Sequence, residues 1–466
     1  MWAKFAICAQ SRRESVGVDV TKPKFSTLFV GALALGLAVL LAAAVLLGGS
    51  GERTGKTVVT VRLWDEQVAA AYRESFAEFS REHPDIEVRV NVVAYSSYFD
   101  ALRTDVAGGG ADDVFWLSNA YFAGYADNGK LLDIGKTLGP EAARGWDGPV
   151  VQQFTRDGVL WAVPQLTDAG IAVYFNADLL NQAGVDRSEL LGLRWSPGGP
   201  SAGDTLRPLL ARLTVDADGN HADTPRFDPS RVKQWGYNAA NDLQGIYLNY
   251  IGSAGGLFTD GDRFAFDNPA AVQAFEYLVG LINTDHVAPP PADTNDNGDF
   301  SRNQFLAGRM ALFQSGTYNL SAIAEAAPFR WGVTMLPTGP TGRVSVTNGI
   351  AAAGNAASPH PDAVRKVLAW MGSTRGDGFL GAGGAAIPAV IAAQPAYFDH
   401  WAARGVDVNP FFKVLDGPRI AAPGGPGFPA GYQALRPYFD EMFLGRRDVP
   451  ASLADAQVAA NAAADR

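Results

Sequence analysis

The sequence predicts an α/β protein of two globular lobes behind an apolar N-terminal segment. Three observations carry this expectation. The chain has 466 residues, more than one simple core serves. From residue 57 onward, β-branched runs ending in polar loops alternate with amphipathic helices, the pattern of parallel strands covered by helices. Before that point, residues 25–49 carry no charge at all.

The N-terminus sets the expected compartment. Lys4, Arg12, Arg13, Lys22 and Lys24 precede the apolar run, "FSTLFVGALALGLAVLLAAAVLLGG". As a helix it is long enough to cross about 30 Å of hydrocarbon. Positive charge ahead of it predicts an inside N-terminus and an outside remainder. Two readings stay open: a signal peptide cleaved near Gly48-Gly49-Ser50, or an uncleaved anchor. The run exceeds a usual signal core, which favours the anchor. Residues 1–24 are then a basic tail and 50–56 a polar linker.

Composition narrows the function class. An apolar fraction of 47% and ten tryptophans argue for packed domains. A net charge of −10 sets a repulsive field against nucleic acid. Cys8 is the only cysteine, so the folded region has no disulfide, cysteine zinc site or thiol nucleophile.

The elements follow in order. "TVVTVRLWDEQ" (57–67) is a strand ending in the polar tip Asp65-Glu66-Gln67. Tyr72, Phe76 and Phe79 then recur at helical spacing, and Pro84 stops that helix. "IEVRVNVVAY" alternates as a second strand, "YFDALRTDVAGGG" is a helix ending in glycines, and "DDVFWLSNA" is a third strand with a polar tip. "GVLWAVPQLTDAGIAVYFN" holds two strands around Thr167-Asp168, and a helix starts near Asn176. "NPAAVQAFEYLVGLI" is an amphipathic helix with Pro269 in its first turn. Met310-Ala311-Leu312-Phe313 is a short buried strand, broken at once by Gln314-Ser315-Gly316-Thr317-Tyr318-Asn319. "WGVTMLPTGP" and "VTNGIAAAG" are strands, and "PHPDAVRKVLAWMGS" is a helix. Residues 422–431 are a loop before a last helix, "YQALRPYFDEMFLG".

Taken in this order, "VTVRLWDEQ", "FAEFSREHPDIEVRVNVV", "VPQLTDAGIAVYFNADLLNQAGV", "FLAGRMALFQSGTYNL", "WGVTMLPTGP", "NGIAAAGNAASPHPDAVRKVLAWM" and "GAAIPA" resemble the solute-binding proteins of carbohydrate ABC importers, the maltose-binding-like family. The resemblance implies a periplasmic-binding-protein fold, two lobes closing by a hinge over a cleft. It implies lobe 1 at 57–170 plus 347–395, lobe 2 at 171–346 plus 396–445, and a C-terminal tail at 446–466. It also implies a sugar or sugar-derived solute, ABC permease subunits as partners, a monomer, no cofactor and no catalysis.

Open α/β sheets bind ligands beyond the carboxyl ends of their strands, so the polar tips are the candidates. Tyr318 offers a flat face to a sugar ring, and the resemblance places a stacking aromatic there; Gly316 and Thr317 shape its turn. Asp65 and Glu66 offer carboxylates for hydroxyls or an ammonium, with helix capping as the alternative use of Asp65. Tyr95 and Ser96 follow the second strand; Ser118 and Asn119 end the third. Asp168 and Asn348 lie at the implied lobe crossovers. Asn241 and Gln244 supply amides, and Tyr432 a further ring. No tip carries an arginine, which a phosphate-bearing solute would want.

Metal and enzyme patterns are weak. Asp293, Asn295, Asn297 and Gly298 have calcium-loop spacing, but Gln304 stands where a bidentate glutamate is needed. The histidines make no zinc pattern, and no nucleophile elbow, P-loop or dinucleotide fingerprint occurs. The rival readings are a secreted or anchored glycoside hydrolase using cleft carboxylates, and a sensor or adhesion protein.

Overall fold

The first strand, β1 (Thr57–Leu63), buries Val59, Val61 and Leu63 on one face, as its alternation dictates. The computed structural model describes residues 55–466 apart from Asp168 and Asp296. The apolar run 25–49 and the Asp168 candidate therefore lie outside the described residues. Among the described residues, no helix is long and apolar enough to cross a membrane.

Helix α1 (Glu66–Glu82) follows β1 directly. Asp65 caps it, its carboxylate accepting from the Gln67 and Val68 amides, and Tyr72, Phe76 and Phe79 form its buried face. Next come β2 (Ile86–Val92), α2 (Tyr95–Gly108), β3 (Val114–Ser118) and α3 (Asn119–Asp127). Gly109, at φ 75°, takes the left-handed turn that ends α2. The chain continues through β4 (Val163–Leu166), β5 (Ala172–Asn176), α4 (Pro269–Asn283), β6 (Leu312–Ser315), β7 (Trp331–Met335), β8 (Ile350–Gly354), α5 (Pro361–Met371), α6 (Phe428–Phe443) and α7 (Val449–Ala464).

These strands build two sheets, ordered β2-β1-β3-β8-β4 and β6-β5-β7. β1 runs parallel to β2 and β3, whereas β8 is antiparallel to both β3 and β4. The second sheet is wholly antiparallel. The parallel sheet expected from the sequence is thus confined to three strands. β8 enters the first sheet after a long excursion through the second, so the strand–helix–strand crossover rule does not govern its direction.

Each sheet has its own core. One gathers residues from 59–163 and 350–393, the other from 171–346 and 414–460. The fold is therefore two-lobed. The first core is braced by a buried charge cluster. Arg62 on β1 meets Asp105 at 2.7 Å and Asp112 at 2.5 Å, and Asn91 donates to Asp112.

Two details depart from the sequence reading. α6 begins at Phe428, inside the stretch expected as a loop. Residues 446–466, expected as a tail, carry α7, which buries Leu453, Ala456 and Ala460 in the second core. Alanines populate both its buried and its exposed faces, which leaves almost no periodic signal.

Candidate functional site

Parallel pairing brings the ends of β1, β2 and β3 to one edge of the first sheet. There stand Trp64 and Asp65, then Tyr95 and Ser96, then Ser118 and Asn119. Antiparallel β8 starts at the same edge, Ile350 opposite Ser118, which brings Asn348 and Gly349 there too. In the second sheet Ser315 ends β6 opposite Ala172 at the start of β5, so Gly316-Thr317-Tyr318 lie beside the crossover between lobes.

The first-lobe wall is aromatic. Trp64 has Tyr95 at 5.7 Å, Tyr98 at 4.8 Å and Trp116 at 5.0 Å, with edge-on geometry. Phe99 and Tyr121 stack at 3.7 Å with planes 6° apart. Tyr95 keeps 59% of its surface exposed, yet burial pushes its hydroxyl up, with Tyr121, Tyr432, Asp242 and Tyr318 facing it. Tyr121, Tyr432 and Arg436 are likewise neighbours, and burial holds the Tyr121 hydroxyl up at about 12.

The opposite wall is built on a π-helical turn. Asp242 is its N-cap, accepting from the Gly245 amide at 2.9 Å, and Leu243–Tyr247 complete it. A side chain at Gly245 would meet the Asp242 carboxylate, so glycine lets the cap tuck in. Desolvation raises the Asp242 carboxyl above its ordinary range. Gln314 ties this turn to β6, its Nε2 donating to the Gly245 carbonyl at 2.6 Å. The Tyr318 strand and the Asp242 turn are thereby held in fixed relation. A turn of this rare kind at a polar wall is where functional sites concentrate.

Tyr318 is 44% exposed, and its ring folds back over Gly316. The Tyr174 hydroxyl donates to the Gly316 carbonyl at 2.8 Å and pins that turn. Thr317 lies in the short 3-10 turn that follows.

The other sequence candidates take varied places. Asp65 spends one oxygen on its helix cap, and desolvation raises its carboxyl. Glu66 is exposed and faces Arg73 at 3.7 Å. Ser96 is exposed on the first turn of α2, and Ser118 is buried without a capping bond. Asn119 donates to the Ala422 carbonyl at 3.2 Å, and Asn241 to Asp440 at 2.9 Å. Gln244 is half-buried, its backbone carbonyl taken by Asn249. Asn348 is buried with its Oδ1 unpartnered. Tyr432 stacks on Phe428 at 5.5 Å. Asn295, in the calcium-like stretch, donates to the Asp440 carbonyl at 3.4 Å.

Sequence reasoning missed Asp242, Tyr121, Trp64 and Arg436. Asp242 had a readable signal, an aspartate between Asn241 and Gln244 just ahead of a helix. Arg436 lies on α6, far from any strand tip in sequence, so the expectation of no arginine at the tips overlooked it.

The comparisons decide the family. Residues 64–377 match the bacterial extracellular solute-binding proteins. The chain belongs to this family.

A crystal structure of Mycobacterium tuberculosis UspC is 72% identical to this solute-binding protein. It covers 87% of this chain and 100% of its own, with a TM-score of 0.70. Lmo0181 of Listeria monocytogenes, solved with cycloalternan, shares the fold at 20% identity. It covers 87% of this chain and 98% of its own, with a TM-score of 0.73. The maltodextrin-binding protein MdxE of Bacillus subtilis is 24% identical over 322 residues, 69% of each chain. The chain spans about half the length of a probable ABC transporter-binding protein of Deinococcus radiodurans, with 28% identity over 247 residues, 52% of this chain and 54% of the relative.

Proposed function

We propose that this solute-binding protein captures a sugar or sugar-derived solute between its lobes and delivers it to ABC permease subunits in the membrane. The observation that carries this reading is that Tyr95, exposed at the first sheet edge, lies within electrostatic reach of Tyr318, Tyr432 and Asp242 of the second lobe. Rings supply stacking faces for C–H surfaces. Asp242, the free oxygen of Asp65, and buried amides such as Asn348 supply hydroxyl partners worth about 0.5–1.5 kcal/mol each. Closure then biases a two-state hinge.

Lobe 1 is proposed as 57–170 plus 347–395 and lobe 2 as 171–346 plus 396–445, extended by α7. The protein acts as a monomer on the outer face of the cell membrane, held by residues 25–49 or released after cleavage. It performs no chemistry, and the solutes named with the sugar-bound relatives favour binding over a glycosidase.

A thermal-shift screen of the compact unit Thr57–Arg466 tests this. Neutral disaccharides, amino sugars and glycerophosphocholine are the arms. One of them should raise the melting temperature and be recovered unchanged, since binding to the native state stabilises it. Cleavage of the sugar, or no shift with any arm, contradicts the reading.

A further inference from the structure

The lobes also meet beside the cleft edge, next to Asn119. Hairpin strand Thr155–Arg156 of the first lobe carries Arg156, whose Nε lies 2.6 Å from Asp127 and whose Nη1 lies 4.0 Å from Asp262. Asp262 sits in the turn of the hairpin Thr259–Phe264, and Phe264 is buried in the second core. Beside this pair, the segment 422–427 passes between the lobes. Its Ala422 carbonyl accepts from Asn119 at the start of α3. A Cβ on Gly424 would meet Asn119 Nδ2 at 2.7 Å, and one on Gly425, at φ 106°, would meet the Asp262 carboxylate at 2.6 Å. Gly425 holds a left-handed backbone conformation that residues with a side chain rarely adopt. Ala120 of α3 packs against the second core at the same place.

A separate groove on the first lobe does not rival this. It is a groove of about 430 Å³ lined by His83, Arg365, Lys366, Trp370 and Arg375. Two of its charges are answered locally: Arg375 by Glu78 and Glu82, and Lys366 by Asp85 at 3.8 Å.

We propose that Arg156, Asp262 and the segment 422–427 form a latch that keeps the lobe arrangement of this structure populated without solute. Arg156 and Asp262 are positioning residues: they act by setting the fraction of that arrangement. Asp127 holds the guanidinium aimed across the gap, and Asp262 reads it from the other lobe. Side-chain exposures of 27% for Arg156 and 59% for Asp262 leave the pair open to screening by salt. A weak contact suffices here, because a hinge balanced near equality responds several-fold to a small bias. The proposal rests on the two-lobe hinge reading but not on the identity of the solute.

The test uses the compact unit Thr57–Arg466 without solute, spin-labelled at Ala77→Cys and Val458→Cys, with distances read by pulsed electron paramagnetic resonance. Wild type should show a population at the distance of this structure. Asp262→Arg should reduce that population at least threefold at unchanged melting temperature. Raising sodium chloride from about 20 mM to about 500 mM should reduce it in wild type and leave Asp262→Asn unmoved. A wild type lacking that population overturns the latch, as does a distribution identical across variants and salt. Should Asp262→Arg fail to fold, the salt response of Asp262→Asn against wild type decides alone. The sugar screen can fail while the latch holds, and the reverse, so the two results are separable.

Discussion

The ring of Tyr318 lies over Gly316, with its Cδ1 2.7 Å from where a Cβ on that glycine would stand. Glycine is required at 316 because its neighbour's ring occupies the side-chain space. The backbone there is extended, so left-handed geometry is not the reason. Gly316→Ala should displace the ring, and Tyr318→Ala should remove it. Both are expected to weaken binding of the solute found by thermal shift by about tenfold, the scale of a lost stacked ring, with far-ultraviolet dichroism unchanged. Calorimetric affinity equal to wild type would take Tyr318 out of the cleft wall.

Asp242 gives a second prediction. Asn keeps an oxygen for the Gly245 amide, so Asp242→Asn should preserve the π-helical turn. It removes the carboxylate, whose hydrogen bonds to a solute count among the stronger ones. Affinity should fall about tenfold while the melting temperature holds or rises. A fall in stability with affinity intact would make Asp242 a structural cap only.

Asp377 is fully buried in the first lobe, accepting from the Val390 amide at 2.9 Å, with Tyr72 nearby. Burial pushes its carboxyl well above the ordinary range. The folded protein therefore holds this proton more tightly than the unfolded chain does. That contribution to stability is full below the unfolded carboxylate pKa, about 4, and is lost as pH rises through the higher folded value. Asp377→Asn is neutral at every pH. It should melt above wild type at pH 7, and the gap should close towards pH 4. A gap independent of pH would show that charge burial is not the cause.

Arg62 joins Asp105 and Asp112 where its side chain is only 11% exposed. Arg62→Ala strands Asp112, itself 6% exposed, without its cation. The expected loss is about 3–5 kcal/mol in urea unfolding, the usual cost of breaking a buried pair from one side. A loss below about 1 kcal/mol would mean that water reaches the cluster.

Local pattern made the elements readable. Tyr72, Phe76 and Phe79 announce α1 because a helix buries one stripe, and the polar tips of β1, β2 and β3 share an edge because parallel strands end together. The cap at Asp65 was visible too, since an aspartate ahead of an apolar periodic run is a cap. α7 was not visible, because alanine carries no period.

The sequence by itself determined most of the strands and helices before α6, which strand ends are polar, and the order of elements that matches the family. Tertiary structure alone decided which of those ends meet. Asp242, Tyr121 and Arg436 join Tyr95 and Tyr432, while Asn119 turns to the Ala422 carbonyl instead. The physical reason is range. Periodicity and capping act over a few residues, whereas a cleft is made by chain ends hundreds of residues apart, and only the packing of two cores brings those together.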